Sequence, residues 1–189
     1  CEDDGLSSGG CMHEGPVSMR LGLTGIPATA ETIAVGRDLL LIQQTGVRAH
    51  FCNLSTAQAV QMVARAQQDG LLISADVTAH HLHLTDMDVS DFNANCHVRP
   101  PLRSARDRSA LLEGIRHNTL SAICSDHQPH NLDAKLAPFA ETEPGISGLE
   151  TLLPLSLRSG EEAGMSLSDL IAKLTCAPAK ILGLRAGTL

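Results

Sequence analysis

Apolar and polar positions alternate along this chain in a pattern that switches between two periods. From about Ala28 to Gln44, apolar Ile33, Leu40 and Leu41 recur at helical spacing, and Gly46 follows as a stop. Val47–Cys52 is short and apolar, as a buried strand would be. Ser55 is placed to cap a second helix over about Thr56–Gln68, whose Ala59, Val60, Met62, Val63 and Ala66 form one broad apolar face before Asp69-Gly70 ends it. Leu71–Val77 reads as a strand, about Ala105–His117 as a helix with Leu111, Leu112 and Ile115 inward, and Leu120–Cys124 as a third strand. Helices are expected over about Gly148–Leu157, Ser166–Thr175 and Ala179–Leu182. The opening, Cys1–Ser18, and the segments Thr78–Ser104 and Ser125–Ser147 lack a period and read as loops.

Short apolar strands alternating with amphipathic helices predict an α/β fold with parallel strands and right-handed crossovers. The polar, His-rich text follows directly after each strand. In a β/α barrel such loops line the active face. A doubly wound sheet has the same local pattern, although no GxGxxG or phosphate-binding loop supports it.

Composition narrows the function classes. The 189 residues suit one domain, and 14 Lys and Arg against 21 Asp and Glu leave a formal charge of −7. That sign argues against nucleic-acid binding. The longest apolar run, Leu39–Ile42, is far below the ~18 residues of a membrane span. With no Trp, no Tyr and three Phe, stacking platforms for bases or sugars are not expected. Six Cys without a CxxC pair point to reduced thiols in a cytoplasmic protein, with Cys52 and Cys124 packed as small apolar groups inside strands. The chain lacks an initiator Met and stops at a turn, so truncation at both ends is expected.

Four segments carry candidate chemistry. In Ser125-Asp126-His127-Gln128-Pro129-His130, an Asp directly after a strand can bind metal or accept a proton, or simply cap a turn among exposed His. His80, His81 and His83 would hold a metal only if the backbone made them converge; otherwise they are loop residues packed on their neighbours. Arg99, ahead of Pro100-Pro101, can present its guanidinium to a carboxylate or lie in solvent. Pro144-Gly145-Ile146-Ser147-Gly148 is a glycine-hinged entry to a helix whose N–H groups could meet a carbonyl or anion, or only start the helix.

Taken in order, these segments resemble dihydroorotases, amidohydrolases of pyrimidine synthesis. The resemblance rests on Cys1-Glu2-Asp3-Asp4, His50-Phe51-Cys52-Asn53-Leu54-Ser55-Thr56, Ala79-His80-His81-Leu82, Arg99-Pro100-Pro101-Leu102-Arg103, the Asp126 segment, Pro144–Thr151 and Ala177–Gly183. It implies the C-terminal half of a TIM-like (β/α)8 barrel over residues 1–189 and zinc-dependent interconversion of dihydroorotate and carbamoyl-aspartate in the cytoplasm. Zinc would supply a hydroxide by lowering its water's pKa to ~7. By resemblance, Asp126 is the zinc ligand and proton shuttle of the last strand. Arg99 and His130 meet the substrate's carboxylate or ring, and Gly145 and Gly148 lie in the turn against the pyrimidine ring.

The family's other ligands, two His, a carboxylated Lys and a further His, would precede Cys1. Its remaining ligand His, the last of a His-x-Cys-His pattern, stands here as Asn53. His50, three residues back, would face the other side of a strand, so only a water or His81 is left to compensate. Asn53 opens a second expectation: a catalytically silent relative that assembles with aspartate transcarbamoylase. A homo-oligomer is expected under either, with no nucleic-acid or membrane partner.

Overall fold

Strand follows helix follows strand through most of the chain. The computed structural model describes residues 1–188. Short β1 (Met12–His13) pairs in parallel with β2 (Gly25–Ile26), and β3 (Ala49–Phe51), β4 (Ile73–Thr78) and β5 (Ala122–Cys124) form a second parallel sheet in that order. Helix α3 (Ala28–Thr45) links β2 to β3, α4 (Ala57–Gln68) links β3 to β4, and α5 (Ala105–Arg116) precedes β5. Neighbouring helices pack on one another, α3 on α4 and α4 on α5. Strand order that follows chain order, with the crossover helices side by side, is the arrangement of a barrel arc; the doubly wound alternative would reverse its strand order.

The strands sort their residues by the pleat. Phe51, Ala75, Val77 and Ile123 pack with Val60, Val63, Leu111 and Ile115 of the helices into the main core. The alternate positions, His50, Ser74, Asp76 and Cys124, point to the other side and hydrogen-bond to one another or to residues at the strand ends. A smaller core of Met12, Val17, Val89, Val98, Leu102 and Phe139 lies under the loops that follow β1 and β4.

Several expectations need correction. The opening is not all loop: it holds α1 (Asp4–Ser7), β1 and α2 (Pro16–Leu21), elements too short to show a period. Ile33, Leu40 and Leu41 of α3 are exposed, and its buried side is Ala30, Ala34, Val35 and Ile42. The helix is apolar on most of its circumference, so packing rather than pattern selects the face. The cap of α4 is Thr56, whose Oγ1 accepts from Ala59 N–H at 3.2 Å; Ser55 turns instead to Glu31. Cys52 is exposed and Cys124 half-buried, so neither is the apolar packing group expected, although all six thiols are free. After a turn from Gly148, α6 (Leu152–Glu162) begins later than expected, followed by α7 (Leu167–Leu174) and α8 (Cys176–Ile181). Among the described residues no helix is long and apolar enough to cross a membrane.

Candidate functional site

The chain leaves β3 and β5 through the same unusual conformation. Asn53 (φ 56°) and Asp126 (φ 42°) both adopt left-handed backbone two residues past their strands. Asn and Asp enter this region more readily than other side chains, and strain of this kind gathers at functional sites. The two turns meet around Cys124. Its thiol lies 3.2 Å from Asn53 Oδ1 and 3.7 Å from Asp76 Oδ1. Burial, then the negative charges of Asp76 and Asp126, push that thiol far above its ordinary range, so it stays protonated and donates. The amide oxygen of Asn53 is thereby occupied, while its backbone N–H donates to Asp76 Oδ1 at 2.6 Å. Half-buried Asp126 receives Gln128 Nε2 at 3.2 Å.

His50 does not point away from this group, as its odd offset from Asn53 suggested. Its Nε2 lies 2.9 Å from Asp76 Oδ2, and Nδ1 lies 2.7 Å from Ser74 Oγ. The pleat rule ends where the strand ends: the left-handed turn at Asn53 carries its side chain back toward the face that His50 and Asp76 share.

The three His after β4 diverge. His81 is fully buried with Nδ1 2.6 Å from Thr78 Oγ1 and Nε2 against the carbonyls of Pro100 and Pro101. Desolvation holds it neutral, with its pKa lowered to about 4. Both nitrogens are engaged, so His81 does not stand in for the imidazole missing at Asn53. His83 Nε2 meets Leu155 O and Ser159 Oγ, each at 2.8 Å. His80 is buried with neither nitrogen hydrogen-bonded, and burial lowers its pKa to about 2.

The loop that carries Asp126 is clamped to the glycine segment. Gln128 N–H donates to Ile146 O at 3.0 Å, and His127 Nδ1 accepts from the N–H groups of Gly148 and Leu149, each at 3.1 Å. His130 Nε2 donates to Pro144 O at 3.1 Å. A Cβ at Gly145 (φ 149°) would sit 2.6 Å from Gln128 O, and one at Gly148 would sit 2.4 Å from Ser125 O. Glycine is therefore required at both positions by close backbone approach. Asp126, His130, Gly145 and Gly148 thus form one unit. Gly145 N–H donates to His97 O at 2.8 Å, which ties that unit to the segment of Arg99. Arg99 itself pairs with Glu2 Oε2 and Ser7 Oγ, both at 2.9 Å, beside α1.

A buried polar network supports the rim from below. Glu31 on α3 accepts from the backbone N–H and hydroxyl groups of Ser55 and Thr56. Arg103 donates to Ser55 Oγ at 3.1 Å, Ile26 O at 2.7 Å and His13 Nδ1 at 3.2 Å. Burial, then the Arg103 charge, lowers the pKa of His13 and keeps it an acceptor.

Sequence reasoning missed Asp76, His50, Cys52 and Ser74 as a group. The signal was present: Ser74, Asp76 and Thr78 alternate with Ile73, Ala75 and Val77, a strict period of two across that strand.

Residues 1–59 match the sequence profile of a family described as dihydro-orotase-like. Over 188 residues the chain is 50% identical to a dihydroorotase-like protein of Pseudomonas aeruginosa, and over 190 residues 41% identical to a dihydroorotase of Bacillus caldolyticus. All of the chain aligns in both cases, but it spans 44% of each relative's length. In structure it is similar to an L-hydantoinase (dihydropyrimidinase) from Arthrobacter aurescens, with a TM-score of 0.80 at 29% identity over 87% of this chain and 38% of that one. A dihydroorotase from Saccharomyces cerevisiae shares the fold, with a TM-score of 0.74 at 18% identity over 82% and 44% of the two chains.

Proposed function

Because this chain belongs to the dihydroorotase-like family, we propose that its protein opens and closes a cyclic amide of the dihydroorotate type. In the hydrolytic direction water adds to the ring carbonyl, the ring C–N bond breaks and the nitrogen leaves with a proton, giving carbamoyl-aspartate. Asp126 takes the proton from the water and returns it to the nitrogen. Arg99 and His130 meet the substrate's carboxylate and ring, and the backbone of Gly145 and Gly148 shapes the floor beneath the ring. The observation that carries this reading is the strained turn at Asp126, locked to the glycine segment so that a carboxylate is held at the strand ends beside a backbone-lined surface.

Zinc is the metal this family resemblance implies, and the described rim does not supply a cage for it. Asp126 is a carboxylate donor, but the Asn53 oxygen is bonded to the Cys124 thiol and both His81 nitrogens are engaged. Imidazole and thiolate, not amide oxygen, are zinc's preferred donors.

The same occupied amide favours a second reading, a catalytically silent partner of aspartate transcarbamoylase. One assay separates the two. If the enzyme reading holds, the intact protein hydrolyses dihydroorotate and Asp126→Asn lowers kcat by about 100-fold or more with an unchanged circular dichroism spectrum. Absence of turnover at any metal concentration, with co-elution of aspartate transcarbamoylase on size exclusion, establishes the partner reading. The size-exclusion mass also reports the homo-oligomer that both readings include.

A further inference from the structure

Among the described residues, one group of side chains has the donor types and spacing of a metal site, and it meets the rim through Asp76 without including Asp126. The Nε2 or Nδ1 of His50, Sγ of Cys52 and a carboxylate oxygen of Asp76 all lie within 4.8 Å of one another. The pleat explains the meeting. His50 and Cys52 are two apart on one face of the β3 segment, and the parallel register sets His50 beside Ser74 and Phe51 beside Ala75, so the next position brings Cys52 next to Asp76. We propose that His50, Cys52 and Asp76 form a binding site for a divalent transition metal of the zinc type, one step down the strands from Asn53.

The donor set is a nitrogen, a sulfur and an oxygen, which suits zinc and cobalt and disfavours magnesium or calcium. Two of the three ligands, His50 and Asp76, are already oriented by a neighbour. Ser74 Oγ lies 2.7 Å from His50 Nδ1, and a hydroxyl can either donate or accept. Without a cation, Nε2–H donates to Asp76 Oδ2, and a cation entering between those two atoms displaces that bond. With the ring proton then on Nδ1 and accepted by Ser74 Oγ, Nε2 and Oδ2 both turn their lone pairs to the metal, the arrangement common to metal-bound His. Asp76 Oδ1 is held by the Asn53 backbone N–H at 2.6 Å, which leaves Oδ2, 2.9 Å from His50 Nε2, as the ligating oxygen. Cys52 supplies the sulfur, and its proton passes to solvent as the metal binds.

A Cys-His-Asp nucleophilic triad would use the same three residues, but the hydrogen bonds argue against it. Both His50 nitrogens are engaged by Ser74 and Asp76, so neither is directed at the Cys52 thiol as a base. This site is independent of catalysis at Asp126. It also differs in chemistry from the rim, which lacks a thiolate.

The test uses the intact protein, stripped of metal and titrated with cobalt(II). The expected result is one tight equivalent with a near-ultraviolet thiolate-to-cobalt charge-transfer band, lost in Cys52→Ser and retained in Cys124→Ser and Asp126→Asn. His50→Gln should weaken cobalt affinity by at least about tenfold, and Ser74→Ala by a similar factor through loss of the imidazole's partner. Zinc should displace cobalt and protect Cys52 from a thiol reagent. Failure to bind cobalt, binding without the thiolate band, or a band that survives Cys52→Ser would each overturn the assignment. Loss of the band in Asp126→Asn would do the same by moving the ion to the rim.

Discussion

Single buried side chains set how this protein responds to pH. His80, His81 and His97 are buried, and desolvation lowers their pKa values to about 2, about 4 and about 4. A His whose folded pKa lies below its unfolded value near 6.5 takes up a proton more readily when unfolded. Stability therefore falls as pH drops from about 6.5 toward about 4, by roughly 1.4 kcal/mol per pH unit for each such His. His80 offers the cleanest check, because neither ring nitrogen has a hydrogen-bond partner. His80→Phe should keep or raise stability at pH 7 and flatten the acid limb by one such slope, read from urea midpoints at pH 7 and pH 5. An acid limb as steep as in the parent would refute it. The glycines make a second prediction at this scale. Gly145→Ala places a Cβ 2.6 Å from Gln128 O at φ 149°, so it should cost about 1–3 kcal/mol and release the Asp126 loop, seen as faster amide exchange over residues 126–130.

Helices α4 and α5 are joined at their starts by one carboxylate. Asp107 Oδ2 accepts from Ser104 Oγ at 2.6 Å within the cap of α5, and Oδ1 accepts from Ala57 N–H, at the first turn of α4, at 2.9 Å. Asp107→Ala removes these bonds, a third from Ser104 N–H at 3.2 Å, and the favourable charge at two helix N-termini. A loss of about 1–3 kcal/mol in chemical denaturation is expected, with Asp107→Asn recovering part of it. Ser104→Ala, which touches one helix only, should cost less. At this scale much was legible. The extents of α4 and α5 follow from their apolar period and that of α3 from the Gly46 stop, because each is long enough to register, although the cap of α4 falls at Thr56 rather than Ser55. The two-residue strands β1 and β2 were not legible, since two residues carry no period. Nor was the buried side of α3, where an exposed Ile33, Leu40 and Leu41 are locally as apolar as the buried Ala34, Val35 and Ile42.

Across the molecule, Arg103 fastens the first β/α unit to the next. It donates to Ile26 and His13 on one side and to Ser55 on the other, with Glu31 accepting from Ser55 and Thr56 alongside. Arg103→Met leaves the Glu31 carboxylate buried without its nearby cation, so a loss of about 3–5 kcal/mol is expected in urea denaturation. A loss below 1 kcal/mol would mean the hydroxyl and amide donors alone suffice. Arg103 entered the sequence reading as the end of a motif; its role depends on residues from position 13 to position 55 arriving at one place, which no local pattern encodes.

Periodicity and turn chemistry along the chain were enough to specify alternating parallel strands and helices, because those rest on contacts between near neighbours. The ordered motifs were likewise enough to point to Asp126 and its glycine partners and to mark Asn53 as a departure. Tertiary structure alone decided that Asn53 turns back onto Cys124, that His81 is consumed by the carbonyls of Pro100 and Pro101, and that His50, Cys52 and Asp76 converge. The first and third depend on strand register or on a left-handed turn at a strand end, and the second on where the Pro100-Pro101 segment folds back over the turn that follows β4. All are set by how distant segments pack, so a single strand's alternation carries no record of them.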